Sequence, residues 1–319
     1  MAQTYSATQI VKEFPRTFFR GIGQVFFQDN MWTGLLITAG IFWGAYAEGF
    51  PAVAWGMLVG TFVSTLTGYL LKLSDENGAQ GLWGFNGCLV GCAFPTFLGD
   101  TIWMWLALIF CSAMTVWVRT ALNNVFGKWN VSSFTFPFVL CTWFFLLASR
   151  VFNGMPPTYL GDPAFPASVH EALNMGFGDL VVYWLKGISQ VFLINSWVTG
   201  VIFLIALAVS SIRVAVWAAI SSALALFMVI VFQAPGADVA EGLYGFSAVL
   251  TGIALGATFC NYSWKTAIWT LCGVIATVFI QGAMNVFFAP MGLSTLTGPF
   301  CIGTWLFLIP AYKMFAPKN

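Results

Sequence analysis

The sequence predicts an all-α integral membrane protein: two inverted-topology repeats, each with five transmembrane helices and one re-entrant half-helix, enclosing a central pore. Three observations predict it. Apolar residues make up 59% of the chain and charged ones 7%, where a soluble domain carries about a quarter charged. A core of this size could not hide 33 Phe and 15 Trp from water, so lipid is the expected solvent. Second, three motifs each occur twice in the same order. Third, each half offers an odd number of spans, so the second copy must enter the membrane from the opposite side to the first.

The repeated motifs set the frame. Gly21-Ile22-Gly23-Gln24-Val25-Phe26 returns as Gly187-Ile188-Ser189-Gln190-Val191-Phe192, each followed by a Thr-Gly pair (Thr33-Gly34, Thr199-Gly200). Gly81-Leu82-Trp83-Gly84-Phe85 returns as Gly242-Leu243-Tyr244-Gly245-Phe246, with Leu89 and Leu250 four residues later. Phe134-Thr135-Phe136-Pro137-Phe138 returns as Leu296-Thr297-Gly298-Pro299-Phe300. The offsets are 166, 161 and 162 residues, which marks a duplication.

Residues 1–150 form the expected first repeat. Met1–Arg16 is polar and has no apolar stretch ending in small residues, so no secretory leader is expected. An apolar half-helix at about 17–28 is too short to cross. Spans follow at roughly 31–48, 51–72, 82–99, 101–122 and 134–150. Residues 151–182, rich in Pro and Gly, read as an external linker. The second repeat, 183–319, opens with a half-helix at about 183–194. Its spans are expected near 197–212, 214–233, 242–260, 266–288 and 297–312. Only Arg150 and Lys186 of the 12 Lys and Arg residues fall outside if the N-terminus is inside. That bias predicts a multi-pass protein with both termini cytoplasmic, which fits a bacterial inner (plasma) membrane.

Several chemistries are unsupported. Ion-coupled carriers place charges within their spans, but here every charged residue can be assigned to a loop or a span end. Asp29 and Glu241 are the ambiguous ones, and both read as caps of helix starts. The single His, His170, falls in the linker, so no imidazole relay is available. Cys88 and Cys92 share a helical face without accompanying His or acid, and read as small core residues. No phosphate-binding Gly loop is present, so ATP-driven transport is not expected. Neither a cofactor nor a metal is implied, and no cluster suggests an enzyme or a nucleic-acid partner.

The paired motifs read as pore chemistry. A half-helix ending inside the membrane leaves carbonyl oxygens without intrahelical partners, which is tolerated where they line a cavity. Gln24 and Gln190 would add neutral amide oxygens; the plainer alternative is that they hydrogen-bond neighbouring helices. Phe85 and Phe246, with Leu89 and Leu250 one turn on, would flatten the passage into a slot that admits a planar molecule and rejects a hydrated ion. Thr135 and Thr297 would supply hydroxyls, and Pro137 and Pro299 would bend or split the last span of each half.

On these motifs the chain resembles the urea transporters, the bacterial ones in particular. The likeness lies in Gly21–Asn30, Gly81–Gly91 and Thr135–Phe138 with their second copies, and covers about residues 15–313. The resemblance implies passive, channel-type movement of urea and a homotrimer in the lipid bilayer with one pore per protomer. It also implies a neutral filter of backbone carbonyls, Gln, Thr and Phe. Carried over by motif, the pore roles fall on Gln24, Val25, Phe27, Phe85, Leu89 and Thr135. In the second half they fall on Gln190, Val191, Leu193, Phe246, Leu250 and Thr297. Some relatives have Glu where this chain has Gln190. Other readings stay open: a channel for ammonia, short amides, or water and glycerol, or a membrane protein without transport activity.

Overall fold

The computed structural model describes residues 7–71, 73, 78–165 and 173–314; His170, Lys72 and Lys318 lie outside them. Among the described residues there is no β-strand. The chain divides into two compact units, Met1–Val125 with Ser133–Leu160, and Phe126–Ser132 with Gly161–Asn319.

The first unit contains α1 (Ala7–Gln24), α2 (Met31–Ala47), α3 (Pro51–Leu70), α4 (Phe85–Phe97), α5 (Ile102–Phe126) and α6 (Phe136–Ser149). Helix α1 starts ten residues before the expected half-helix. Its polar residues Lys12, Glu13 and Arg16 are exposed, while Ile10 and Phe14 pack on Tyr69 and Trp83. The amphipathic stripe, hidden from an apolarity count, extends the helix. Helices α3 and α4 cross with backbones nearly touching: Gly56 faces the Gly91 carbonyl and Gly60 the Gly87 carbonyl. Without Cβ atoms the two helices gain dispersion contact that lipid cannot supply.

Helix α6 begins at the motif proline, which occupies its first turn. Pro137 therefore starts the last helix instead of bending it, because its missing N–H is an orphan there anyway. Pro299 holds the same place in the second unit. The expected external linker is also tied down at its start. Gly99 N–H donates to the Pro156 carbonyl (2.8 Å), Tyr159 N–H to Phe97 (3.1 Å) and the Thr101 hydroxyl to Gly154 (2.8 Å).

The second unit contains α7 (Phe177–Ser189), α8 (Trp197–Ser210), α9 (Ile212–Val231), the short α10 (Gly236–Ala240), α11 (Gly245–Ile253), α12 (Trp264–Phe288) and α13 (Gly298–Met314). Helix α7 begins six residues before the expected half-helix, inside the stretch read as linker. Helix α11 runs into a wide π-helical turn, Ala254–Thr258, for which α4 has no counterpart.

Each of the ten expected spans coincides with a helix, yet many are short. Among the described residues, four helical stretches are long and apolar enough to cross a membrane alone: Pro51–Leu70, Ile102–Trp129, Ile212–Val231 and Trp264–Met291. Phe177–Phe192 with Trp197–Ser210 passes the same test as a pair, bent by 71° at the break. The other apolar helices have 10–17 residues. Backbone breaks shorten them: Gly81 and Gly242 have left-handed φ of 96° and 73° just before α4 and α11, and Leu98 is extended after α4.

Candidate functional site

The first repeated motif ends a helix in both units, and in both it ends on an unusual residue. Phe27 has φ 62° and Leu193 has φ 58°, a left-handed conformation that costs an ordinary side chain roughly 1–2 kcal/mol. The chain turns there because the last helical carbonyls are taken by short bonds. Phe27 N–H donates to Gln24 O at 2.9 Å and Leu193 N–H to Gln190 O at 3.0 Å. In the first unit the Gly23 carbonyl also accepts from Phe26 and Gln28, both at 3.0 Å. A carbonyl has two lone pairs, so those with one bond can accept another. The helix ends are thus partly satisfied, where carbonyl oxygens without intrahelical partners were expected.

The next helix starts with its own cap. Asn30 Oδ1 accepts from Trp32 N–H (2.8 Å) and Thr33 N–H (3.2 Å), and Ser196 Oγ from Thr199 N–H (3.4 Å). Capping therefore belongs to Asn30 and Ser196, not to Asp29 and Glu241 as the sequence suggested. Asp29 pairs with Arg20, with Nε–Oδ1 at 2.9 Å. Glu241 instead closes the C-terminal end of α10. The Thr-Gly pairs lie directly after these caps. Gly34 passes the Phe19 backbone and Gly200 the Leu185 backbone, so each lets the returning helix lean against the one it left.

The second motif meets the first in each unit. A Cβ on Gly21 would lie 3.2 Å from the Gly81 carbonyl and 3.3 Å from the Gly84 Cα; one on Gly187 would lie 3.1 Å from the Gly245 Cα. This is the close approach its glycines predict. Gln24 and Gln190 bridge the same junction: Gln24 Nε2–H donates to the Gln80 carbonyl and Gln190 Nε2–H to the Glu241 carbonyl, both at 2.9 Å. Both amide nitrogens are therefore engaged by backbone, while neither amide oxygen accepts a bond among the described residues. The backbone carbonyls of Gln80 and Glu241 are the partners that sequence reasoning missed; the equivalence of the two positions was the available signal.

Phe85 and Phe246 follow immediately, in the first turns of α4 and α11, with 6% and 8% of their surface exposed. Leu89 and Leu250, one turn further along the same helices, have none. Val25 and Val191 are likewise buried. Phe27, Leu193, Gln24 and Gln190 are half-buried.

The third motif repeats a left-handed residue just before its threonine, Phe134 (φ 51°) and Leu296 (φ 50°). In the first unit the Phe134 ring meets the Phe27 ring edge-on, centroids 6.2 Å apart, so the ends of the first and third motifs touch. Asn86, one residue after Phe85, accepts from Phe138 N–H at 3.1 Å and ties α4 to the start of α6. Thr135 and Thr297 are buried. In the second unit buried hydroxyls join α11 to α12 and to α13: Thr251 and Thr277 lie 2.9 Å apart, and Thr304 lies 3.5 Å from Thr251.

Comparison with known proteins follows the same motifs. The family model described as Urea transporter matches residues 16–312. Urea transporter 1 of Rattus norvegicus is 32% identical over 312 residues, covering 94% of this chain and 78% of that protein. Urea transporter 1 of Ovis aries is 33% identical over 310 residues, with the same shares. Motifs, helical architecture and family match agree: the chain belongs to the urea transporter family.

Proposed function

We propose that the protein conducts urea passively across the membrane, as a channel, through a narrow uncharged passage. On this reading the chain has ten spans and two re-entrant segments, and both termini are cytoplasmic in a bacterial inner membrane. The protein assembles as a homotrimer with one pore per protomer. Gln24, Phe27, Phe85 and Thr135, with Gln190, Leu193, Phe246 and Thr297, border the path; Val25, Leu89, Val191 and Leu250 form its packed backing.

One observation supports the reading most: both units brace a half-buried glutamine against the turn that precedes a phenylalanine-bearing helix, at a glycine-made junction, and leave its amide oxygen and a singly bonded helix-end carbonyl as neutral acceptors. Urea is flat and neutral and offers four N–H donors. Each donor stripped of water and left unpaired costs about 1–3 kcal/mol, and neutral oxygens can replace those bonds. Aromatic faces suit its planar surfaces, and shallow repeated sites let the solute leave again.

Stopped-flow light scattering on proteoliposomes tests it. Urea flux is expected to exceed that of glycerol, and Thr135→Val with Thr297→Val is expected to slow it several-fold. Glycerol or water passing far faster than urea would overturn the solute assignment. Unchanged flux in the double variant would take the threonines out of the path.

A further inference from the structure

Away from the repeated motifs, one corner of the second unit gathers two cations and two aromatic rings that the transport reading does not use. Arg213 lies at the start of α9. Its Nε and Nη2 both donate to the Gly256 carbonyl, at 3.1 and 2.9 Å, inside the wide turn after α11. These bonds hold the guanidinium 4.8 Å from the centre of the Tyr262 ring. Three residues on, Lys265 Nζ sits 5.7 Å from the centre of the Trp264 ring. All four residues therefore cluster where α9 and α12 begin.

Neither cation has a carboxylate within ion-pair distance among the described residues. Asp238 and Glu241 follow the far end of α9, one 20-residue helix away, or about 30 Å at 1.5 Å per residue. Among the described residues the corner is thus positive and uncompensated. It is also greasy on the outside: Ile212, Tyr262 and Trp264 are 74%, 73% and 69% exposed. Exposed Trp and Tyr beside basic residues mark the headgroup level of a bilayer. Helices α9 and α12, which carry the corner, are two of those long enough to span.

We propose that Arg213, Tyr262, Trp264 and Lys265 form a binding site for the headgroup phosphate of an anionic phospholipid. The guanidinium, pre-set by the Gly256 carbonyl, and the flexible ammonium contact the phosphate oxygens. The rings and Ile212 lie along the upper acyl chain. A free inorganic anion would use the cations but gain nothing from the apolar rim, so the site favours the lipid.

Native mass spectrometry of the detergent-purified full chain, titrated with dioleoylphosphatidylglycerol or dioleoylphosphatidylcholine, tests this. The wild type is expected to retain phosphatidylglycerol preferentially. Lys265→Gln, at an exposed position that leaves the fold intact, is expected to weaken that binding about five-fold, the worth of one basic residue at a membrane surface. Arg213→Lys is expected to weaken it further, with folding checked by thermal unfolding. Lys128→Gln, an exposed charge loss outside the corner, is expected to leave binding unchanged. Equal binding by wild type and Lys265→Gln, an equal loss in Lys128→Gln, or displacement of the lipid by millimolar inorganic phosphate would each overturn the proposal. None depends on urea flux, so failure here is distinguishable from failure of the transport reading.

Discussion

Gln190 donates its side-chain Nε2–H to the carbonyl oxygen of Glu241 at 2.9 Å, joining the end of α7 to the turn that precedes α11. Gln24 does the same to Gln80 at the same distance. Each bond holds the amide by one of its two N–H donors and leaves its oxygen without a partner among the described residues.

Replacing Gln190 with Met keeps length and apolar bulk but removes both the brace and the oxygen. Urea flux is expected to fall about five- to ten-fold, the worth of one net hydrogen bond. Stopped-flow light scattering checks this; a wild-type rate would show that the amide only ties backbone together.

The glycine junctions differ in how much they can yield. A Cβ on Gly245 would meet the Gly187 Cα at 2.5 Å, whereas one on Gly84 would meet the Thr65 hydroxyl at 2.7 Å and backbone only at 3.4 Å. Backbone cannot rotate aside as a side chain can. Gly245→Ala is expected to cost about 1–3 kcal/mol by overpacking, and Gly84→Ala less. Thermal unfolding in detergent ranks them; the reverse order would refute the junction geometry.

Asn86 and Ser247 occupy the same place in the two units, yet only Asn86 reaches a backbone N–H, that of Phe138. The Ser247 hydroxyl is buried without a hydrogen-bond partner. Asn86→Ala should destabilise by about 1–3 kcal/mol because it strands a buried donor. Ser247→Ala should be close to neutral. Matched unfolding temperatures for the two variants would show that the Asn86 bond contributes nothing.

Gln233 ends α9 in the left-handed conformation, φ 53°, with Ala234 N–H reaching back to the Val229 carbonyl at 2.9 Å. Helices favour glycine at such a site. Its side chain is exposed, so Gln233→Gly removes strain and little else. The variant is expected to gain about 1 kcal/mol, read as a higher unfolding temperature; a drop would mean the side chain has a contact of value.

What the sequence made legible was whatever depends on composition or on repetition. Gly21, Gly81 and Gly84 announced a close approach because small residues recurred together in both halves. Helix α1 was underestimated because Lys12, Glu13 and Arg16 diluted an apolarity count, although at helical spacing they occupy its open face. The left-handed turns at Phe27 and Leu193 were illegible because Phe and Leu are not residues expected at positive φ; hydrogen bonds of the neighbouring turn hold them there. Asp29 looked like a cap by charge, but Asn30 is the residue whose short side chain reaches two free N–H groups. Pro137 suggested a bend because nothing in the sequence marked its helix as starting one residue earlier.

The wide turn at Ala254–Thr258 also explains a discrepancy in spacing. Gly91 and Gly252 are still 161 residues apart, whereas Thr101 and Ser263, which each receive the N–H three residues on at 3.1 and 3.0 Å, are 162 apart. The interval between those landmarks contains the turn, and an i→i+5 loop is the form a helix takes to swallow an additional residue. The second half thus carries one residue more than the first between these landmarks, in the interval that holds the turn. Everything downstream stayed in step, down to the left-handed pairs Asn130 with Gly292 and Phe134 with Leu296.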